Sequence, residues 1–391
     1  MTVQHTHIVV IGGGYAGTLA ANHLRLRTDV DITLVNPRPV FVERIRLHQL
    51  AAGTGTAAVD YGTLLGQGIR LIVDGAERIN AAARTIELTS GAVLDYDYVV
   101  YAVGSTGAIP ASVPGAADFA YSVAEFEHAE QLRDALTELH PDAPVTVVGA
   151  GLTGIEAASE LAEQGRRVTL VCGGALGPSL SNPGRRSVAK WLRRLGVDVL
   201  ETAVVTEVRS DAVVLADGAV LPNAVTVWTA GFGVPDLAAR SGLRTDALGR
   251  LLTDETLTSV DDPRIVAAGD AAAPSDHPLR MSCQAAMPLG SQAANTVLSH
   301  IAGTPAAAID QAFTGQCISL GRSYATIQLA RLDDTPLNMF IGGRVAASVK
   351  EAVCKGTVWG LRHEAAKPGW YRWLKGGRRA ERLAADAVTT S

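Results

Sequence analysis

A chain of 391 residues that is 47% hydrophobic and 19% charged can bury two or three cores, which excludes global disorder. A net charge of −5 gives no footprint for nucleic acid, and no nucleic-acid partner is expected. The four cysteines stand alone at 172, 283, 317 and 354, so a disulfide framework, a metal site and a CxxC redox pair are all unsupported. No basic leader with an apolar core precedes the first strand, and no run of about 18 apolar residues occurs. The expectation is a cytoplasmic protein, with peripheral contact at the inner face of the cell membrane as the alternative.

The first element is a strand over His7–Ile11, a β-branched run suited to burial on both faces. Gly12, Gly14 and Gly17 follow in "IGGGYAG", then a helix in "TLAANHLRLR" and a second strand in "DITLVN" at 31–36. Strand, glycine turn, helix and strand within about 30 residues is a dinucleotide-binding unit. Gly12 permits the tight turn, Gly14 lets backbone N–H groups approach a pyrophosphate, and Gly17 lets helix and strand pack closely. The second strand ends in Asn36 where an acidic residue would hold a ribose hydroxyl; an amide bonds the same hydroxyl without charge assistance.

The unit recurs 137 residues later. "VTVV" at 145–148 is the strand, Gly149, Gly151 and Gly154 form the turn, "IEAASELAEQG" is the helix and "RVTLV" at 167–171 the next strand. Cys172 stands where a carboxylate would favour NAD, and Arg185 and Arg186 lie in a loop-like stretch downstream. Cofactor choice is therefore expected to be relaxed or tilted towards NADPH. "YDYVVYAVGSTGAIP" at 96–110 and "AVTVWTAGFGVP" at 224–235 are buried strands running into glycine breaks on either side of the second unit, and "DDPRIVAAGDAAA" at 261–273 leads into Gly269 and Asp270. An Asp there can reach ribityl or diphosphate oxygens, or cap a helix.

In this order, GGGYAG, YAVGS, GAGLTGIE, TVWTAG and AAGDAAA resemble the two-dinucleotide-domain flavoproteins. "FVERIRLHQLAAGT" at 41–54 is most similar to the type II NADH dehydrogenases and their apoptosis-inducing-factor-like relatives. The resemblance spans residues 5–300 and implies an α/β fold with two Rossmann-like domains. One is a discontinuous FAD domain at 1–112 and 233–310, the other an inserted NAD(P)H domain at 113–232, with a small C-terminal region at 311–391. It implies that Gly12, Gly14, Gly17, Asn36 and Asp270 hold FAD and that Gly149, Gly151 and Gly154 hold NADH or NADPH. By the same resemblance Gly13, Ala16, Arg44, Gly104, Gly231 and Gly269 are expected as further cofactor contacts, and Glu156 is expected near the nicotinamide and flavin rings. The cysteine pair of the disulfide reductases is absent before Cys172, so no dithiol relay is expected. The family's quinone motif has a second glutamine four residues after the first; here Gln284 is kept and Pro288 replaces its partner. Arg44, Arg46, His48, Gln49 and Gln284 are the polar candidates for the acceptor side, with His48 or Gln284 as donor to an acceptor carbonyl.

Beyond residue 310 the resemblance thins. "ISLGRSYATIQL" at 318–329 reads as strand material, and Val345, Val349, Val353 and Trp359 can share one face of a helix. Residues 344–382 carry ten Lys/Arg against three Glu, a net +7 that leaves −12 for the rest of the chain. With Trp359, Trp370, Tyr371 and Trp373 among the bases, this is either an interfacial membrane anchor or a helix docked on the flavin domain with a solvated tail. The expected activity is hydride transfer from NAD(P)H through FAD to a quinone or quinone-like acceptor. The alternatives are a tailoring oxidoreductase acting on a small metabolite and an NAD(P)H sensor, and a homodimer is compatible with each.

Overall fold

The computed structural model describes residues 5–389. Strand β1 (Thr6–Ile11), helix α1 (Tyr15–Leu24) and strand β2 (Val30–Asn36) form the first unit, and the short helix α2 (Leu47–Ala51) follows. β3 (Ile69–Val73) and β4 (Tyr98–Tyr101) complete the first pass. The second unit runs through β5 (Ala120–Ser122), β6 (Val145–Val148), α3 (Leu152–Glu163), β7 (Val168–Val171), α4 (Asn182–Arg194), β8 (Asp198–Leu200) and β9 (Val225–Trp228). β10 (Ile265–Ala267) and α5 (Cys283–Ala302) come next, then the hairpin strands β11 (Gly315–Ser319), β12 (Ala325–Ala330) and β13 (Pro336–Gly343), and helix α6 (Arg344–Ala366).

Two parallel five-stranded sheets carry the architecture, in the orders β10-β4-β1-β2-β3 and β5-β9-β6-β7-β8. In each the strand before the glycine turn is central. Ile8, Val9 and Val10 are fully buried, as is Val147, and this double burial explains the unbroken β-branched runs. β10 pairs with β4 although their starts, 98 and 265, lie 167 positions apart in sequence, so the first sheet closes only after the second has been made. The repeat extends further than the motifs: each unit inserts a three-stranded antiparallel sheet, at 76–95 between β3 and β4 and at 205–222 between β8 and β9. Thr106–Gly107 and Phe232–Gly233 pair antiparallel, which lays the two chain crossings side by side.

The helices of the first unit close over the sheet by close approach. A Cβ on Gly290 would lie 2.2 Å from Ala16 O, so α1 and α5 cross with their backbones nearly touching. Pro288 lies inside α5 and has no N–H to give the Gln284 carbonyl; the Gln311 side-chain Nε2 takes that carbonyl at 2.9 Å instead. Helix α2, although from the first segment, packs Leu47, Leu50 and Ala51 into the core of the second sheet.

The C-terminal region is a three-stranded antiparallel sheet and a long helix, as the strand-like and helical stretches implied; the turn at 320–324 separates the first two strands. Gln328 ties the sheet to the second unit: its Oε1 accepts from Ser181 N and Oγ at 3.0 and 2.7 Å. Helix α6 is tied to α1 by Glu364, which meets His23 Nδ1 at 2.6 Å and accepts from Gly369 N and Tyr371 N. Its outer face is bare. Val345, Val349, Val353 and Trp359 are exposed, and Met339, Phe340 and Ile341 of β13 are exposed as well.

Candidate functional site

The two glycine turns have the same internal geometry. A Cβ on Gly12 (φ +98°) would sit 2.3 Å from Ala102 O, and one on Gly149 (φ +105°) 2.7 Å from Ala230 N. A Cβ on Gly17 or Gly154 would sit 1.8 Å from the carbonyl of Gly12 or Gly149 respectively. Between them, Gly14 and Gly151 have no neighbouring atom within 4 Å of such a Cβ. Each turn is therefore closed at its ends by packing and open in the middle, at the N-cap of a helix whose first N–H groups are free for an anion. The residues present fit two dinucleotides.

Around the first turn, Asn36 Oδ1 accepts from Gly13 N at 2.9 Å and its Nδ2 donates to Arg38 O at 2.8 Å, so this amide braces the turn. Arg44 Nη1 donates to Ser105 O and Oγ, both at 2.7 Å, and Ser105 Oγ donates to Asp270 Oδ2 at 2.7 Å. That chain joins the loop after β2, the loop after β4 and the turn after β10 at one sheet edge, beside Gly104 (φ +73°). Burial pushes the Arg44 guanidinium down from its usual range, with Asp270 opposing it. Ala16 is a packing residue: the Cβ that Gly269 lacks would meet the Ala16 methyl at 3.0 Å. Gly231 (φ +87°) lies under Ala108 at the crossing.

At the second turn Cys172 follows the last residue of β7, and burial raises its thiol to about 11. Arg185 and Arg186 are not in a loop; they belong to α4, which Ser181 caps and Pro183 opens, because a proline in the first turn costs no intrahelical bond. The carboxylate missing from β7 stands on the neighbouring strand. β7 and β8 pair Val171 with Leu200, so the next residues, Cys172 and Glu201, lie side by side at the carboxyl edge. Glu201 Oε2 accepts from Leu176 N at 3.4 Å, and its carbonyl accepts from Gly174 N at 2.7 Å. Glu201 leaves no trace along one strand, since only the register of two strands brings it beside Cys172.

A buried charged group joins α2, α3 and α6. Glu156, in the first turns of α3, meets Lys350 Nζ of α6 at 3.0 Å and accepts from Ser319 N at 2.9 Å. His48 Nδ1 of α2 lies 3.7 Å from the other Glu156 oxygen. Burial alone would raise Glu156, but the Lys350 ammonium and the Ser319 N–H outweigh it and hold the carboxyl below its usual range. Burial opposes the Lys350 charge too, and Glu156 reverses it, holding the ammonium above its usual range. Burial pushes His48 down to about 4, so it is neutral beside a fixed ion pair. Lys350 was hidden in the sequence among the ten bases of the C-terminal stretch; the available signal was its place opposite the valine stripe of α6, on the face turned inward.

Gln284 is not part of this group. Its side-chain amide is satisfied with the nitrogen on Gly315 O at 3.1 Å and the oxygen on Thr314 Oγ1 at 3.0 Å. The neighbouring Arg280 forms an ion pair with Asp334, Nε to Oδ2 at 2.6 Å. Arg46 pairs with Glu43 and Glu351, and Gln49 Oε1 accepts from Arg46 at 3.1 Å, so these two brace α2 and do not reach the Glu156 group.

These features define a two-dinucleotide oxidoreductase, and the protein-family model described as pyridine nucleotide-disulphide oxidoreductase matches residues 6–290. The chain belongs to that family. Among its relatives, an NADH dehydrogenase-like protein of Mycobacterium tuberculosis is 32% identical over 336 residues, 78% of this chain and 83% of its own. A type II NADH:quinone oxidoreductase of the same organism is 27% identical over 342 residues, covering 76% and 73%. The solved sulfide:quinone oxidoreductase from Aquifex aeolicus superposes with a TM-score of 0.79 at 23% identity over 93% of both chains. NDH2 from Plasmodium falciparum gives 0.74 at 15% identity over 94% of this chain and 98% of that one. These two likenesses show the fold. None of the four cysteines is paired with another in the structure.

Proposed function

We propose that this chain takes hydride from NADH onto bound FAD and passes the electrons to a quinone-like acceptor without a redox disulfide. The observation that carries this reading is the pair of equivalent glycine turns, with the buried His48–Glu156–Lys350 group on the helix that the second turn opens. Bound FAD would supply a two-electron store between donor and acceptor. The chain supplies position: the first turn, Asn36 and the Arg44–Ser105–Asp270 chain hold one dinucleotide, and the second turn holds the other. The Glu156–Lys350 pair is fixed by Ser319 before any ligand arrives, so its field needs no rearrangement during reaction. The relatives that bear NADH dehydrogenase and NADH:quinone oxidoreductase names support the donor and the acceptor class. No helix among the described residues is long and apolar enough to cross a membrane. The exposed valine and tryptophan face of α6 fits peripheral contact with a lipid surface, where such quinones reside.

An acceptor panel tests the reading. Steady NADH oxidation should occur with short-chain quinones and weaken with long isoprenoid chains, because Gln284 is committed to Gly315 and Thr314 and Pro288 adds no second amide. Turnover with no quinone, alongside turnover with a specific small metabolite, would replace this acceptor by the tailoring reading.

Glu201 turns the cofactor expectation from NADPH towards NADH, since its carboxylate beside Cys172 repels a 2′-phosphate and accepts from a ribose diol. Glu201→Gln should weaken NADH binding by about 1.5 kcal/mol, roughly tenfold, and narrow the preference over NADPH. Unchanged dissociation constants for both nucleotides in a titration would show that Glu201 reads neither.

Burial raises the thiols of Cys283, Cys317 and Cys354 as it does Cys172, so none is a ready nucleophile. Replacing all four by serine should leave flavin reduction by NADH within about tenfold of wild type, as positioning and not thiol chemistry sets that step. Loss of reduction in a folded, FAD-loaded variant would contradict it.

A further inference from the structure

Helix α3 carries three carboxylates at i, i+4 and i+7: Glu156, Glu160 and Glu163. Their environments change along the helix from the interior to the surface. Glu156 is the buried ion-paired group already described. Glu160 is buried with no exposed side-chain surface, and Glu163 is exposed at the far end, where it accepts from Ser323 Oγ at 3.0 Å and from Arg322 N at 2.5 Å. Helix α2 and the residues after it lie alongside, so that the contacts form rungs: His48 with Glu156, then Thr54 Oγ1 donating to Glu160 Oε1.

Two buried polar atoms in this seam have no hydrogen-bond partner among the described residues: Glu160 Oε2 and His48 Nε2. Buried polar atoms are nearly always satisfied, by protein or by an ordered water, and each orphan calls for an explanation. Glu160 is not needed as a counter-charge. Its nearest cation, Arg322 Nε, is 3.9 Å away and half-turned to solvent, and Arg322 also faces Glu351 at 3.8 Å, which Arg46 already holds. The groups that face Glu160 are therefore Thr54 and Arg322 across the seam, with Glu156 and Glu163 on its own helix. Burial, helped by those two carboxylates, raises its pKa, so it can hold a proton where a surface glutamate would not.

The proposed activity needs such a group. One NADH, one quinone and one proton enter, and NAD⁺ and one quinol leave. The hydride brings both electrons and one proton, so the second proton must come from solvent in every turnover.

We propose that Glu160 relays this proton from the solvent edge at Arg322 and Glu163, through His48, to the Glu156–Lys350 pair beside the acceptor. Glu160 holds the proton on its free Oε2 and passes it, through a water in the seam, to His48 Nε2. The imidazole releases its Nδ1 proton to Glu156 Oε2, which hands it on to the charged acceptor oxygen and returns to its ionised state, and a half-turn of the imidazole ring restores the starting tautomer. Glu160 is a relay and does not touch the acceptor. The inference rests on the quinone-like reading of the acceptor.

The test is stopped-flow reoxidation of the NADH-reduced holoenzyme by a short-chain quinone and, separately, by ferricyanide, which takes electrons without protons. Both are run in H₂O and D₂O. Glu160→Gln keeps the shape and the Thr54 bond but cannot carry the proton. Reoxidation by quinone should fall at least tenfold, with an enlarged solvent isotope effect and partial rescue by added imidazole, while reoxidation by ferricyanide stays as in wild type. Glu160→Asp should recover part of the quinone rate, and it serves in place of the Gln variant if that one does not fold. A wild-type quinone rate and isotope effect in both variants would overturn the relay. So would a loss shared equally by quinone and ferricyanide, which is the signature of a structural role. A wild-type enzyme that reduces ferricyanide but no quinone would instead overturn the acceptor reading, and the relay with it.

Discussion

Gly14→Val should give a folded protein that retains no FAD. Gly14 has φ −72° and ψ −165°, an extended conformation that valine adopts freely, and no atom of the chain lies within 4 Å of the Cβ it would gain. The substitution therefore costs the apoprotein little. Its branched side chain fills the open middle of the turn, where backbone N–H groups must approach a pyrophosphate. The far-ultraviolet spectrum should match wild type, and the purified variant should be colourless near 450 nm. Gly12→Val is the contrast: at φ +98°, with Ala102 O 2.3 Å from its Cβ, it should fail to fold. Stoichiometric FAD on Gly14→Val would remove the first turn from the cofactor site.

Lys350→Met should be the most damaging single change outside the glycine turns. It leaves the buried Glu156 carboxylate without its ammonium partner, and breaking a buried pair this way costs about 3–5 kcal/mol. The sign of the pH dependence should change as well. In the wild type the Glu156 pKa is depressed, so the group stabilises the fold above the unfolded value and loses that contribution as pH falls. Without Lys350, burial dominates and the pKa rises above the unfolded value, so the folded state holds a proton that the unfolded chain releases. Urea midpoints of the variant should then fall as pH rises from about 5 to 8, a range over which Glu156 makes a constant contribution in the wild type. Reoxidation by quinone should slow by about a hundredfold, the low end of what general acid–base groups contribute. A variant as stable as wild type with an unchanged pH profile would show that Glu156 is held by other groups.

Much of this was readable from the sequence, and the reason is physical. Tight turns, close helix crossings and buried central strands each demand particular residues at fixed spacing. Gly12, Gly17, Gly149 and Gly154 could therefore be placed, together with the strands before them. Asn36, expected to hold a ribose hydroxyl, has its amide engaged with Gly13 and Arg38 on the turn itself. Cross-sheet neighbours leave no such trace. Glu201 comes next to Cys172 only through the register of β7 and β8, and Lys350 meets Glu156 across nearly two hundred residues. Arg185 and Arg186 were misread because the glycines before them masked a helix that Ser181 starts. Gln284 kept its motif position, but the proline four residues on freed its carbonyl for Gln311, and its side chain turned to Gly315.

The most direct test of the central claim is anaerobic mixing of the purified FAD-loaded protein with one equivalent of NADH, followed by one equivalent of a short-chain quinone. The flavin band should bleach in a single fast phase on the first addition and return in full on the second, in the wild type and in the variant that has serine at all four cysteine positions. A band that NADH leaves unbleached, or that bleaches only when the cysteines are present, would contradict hydride transfer through the flavin without a thiol relay.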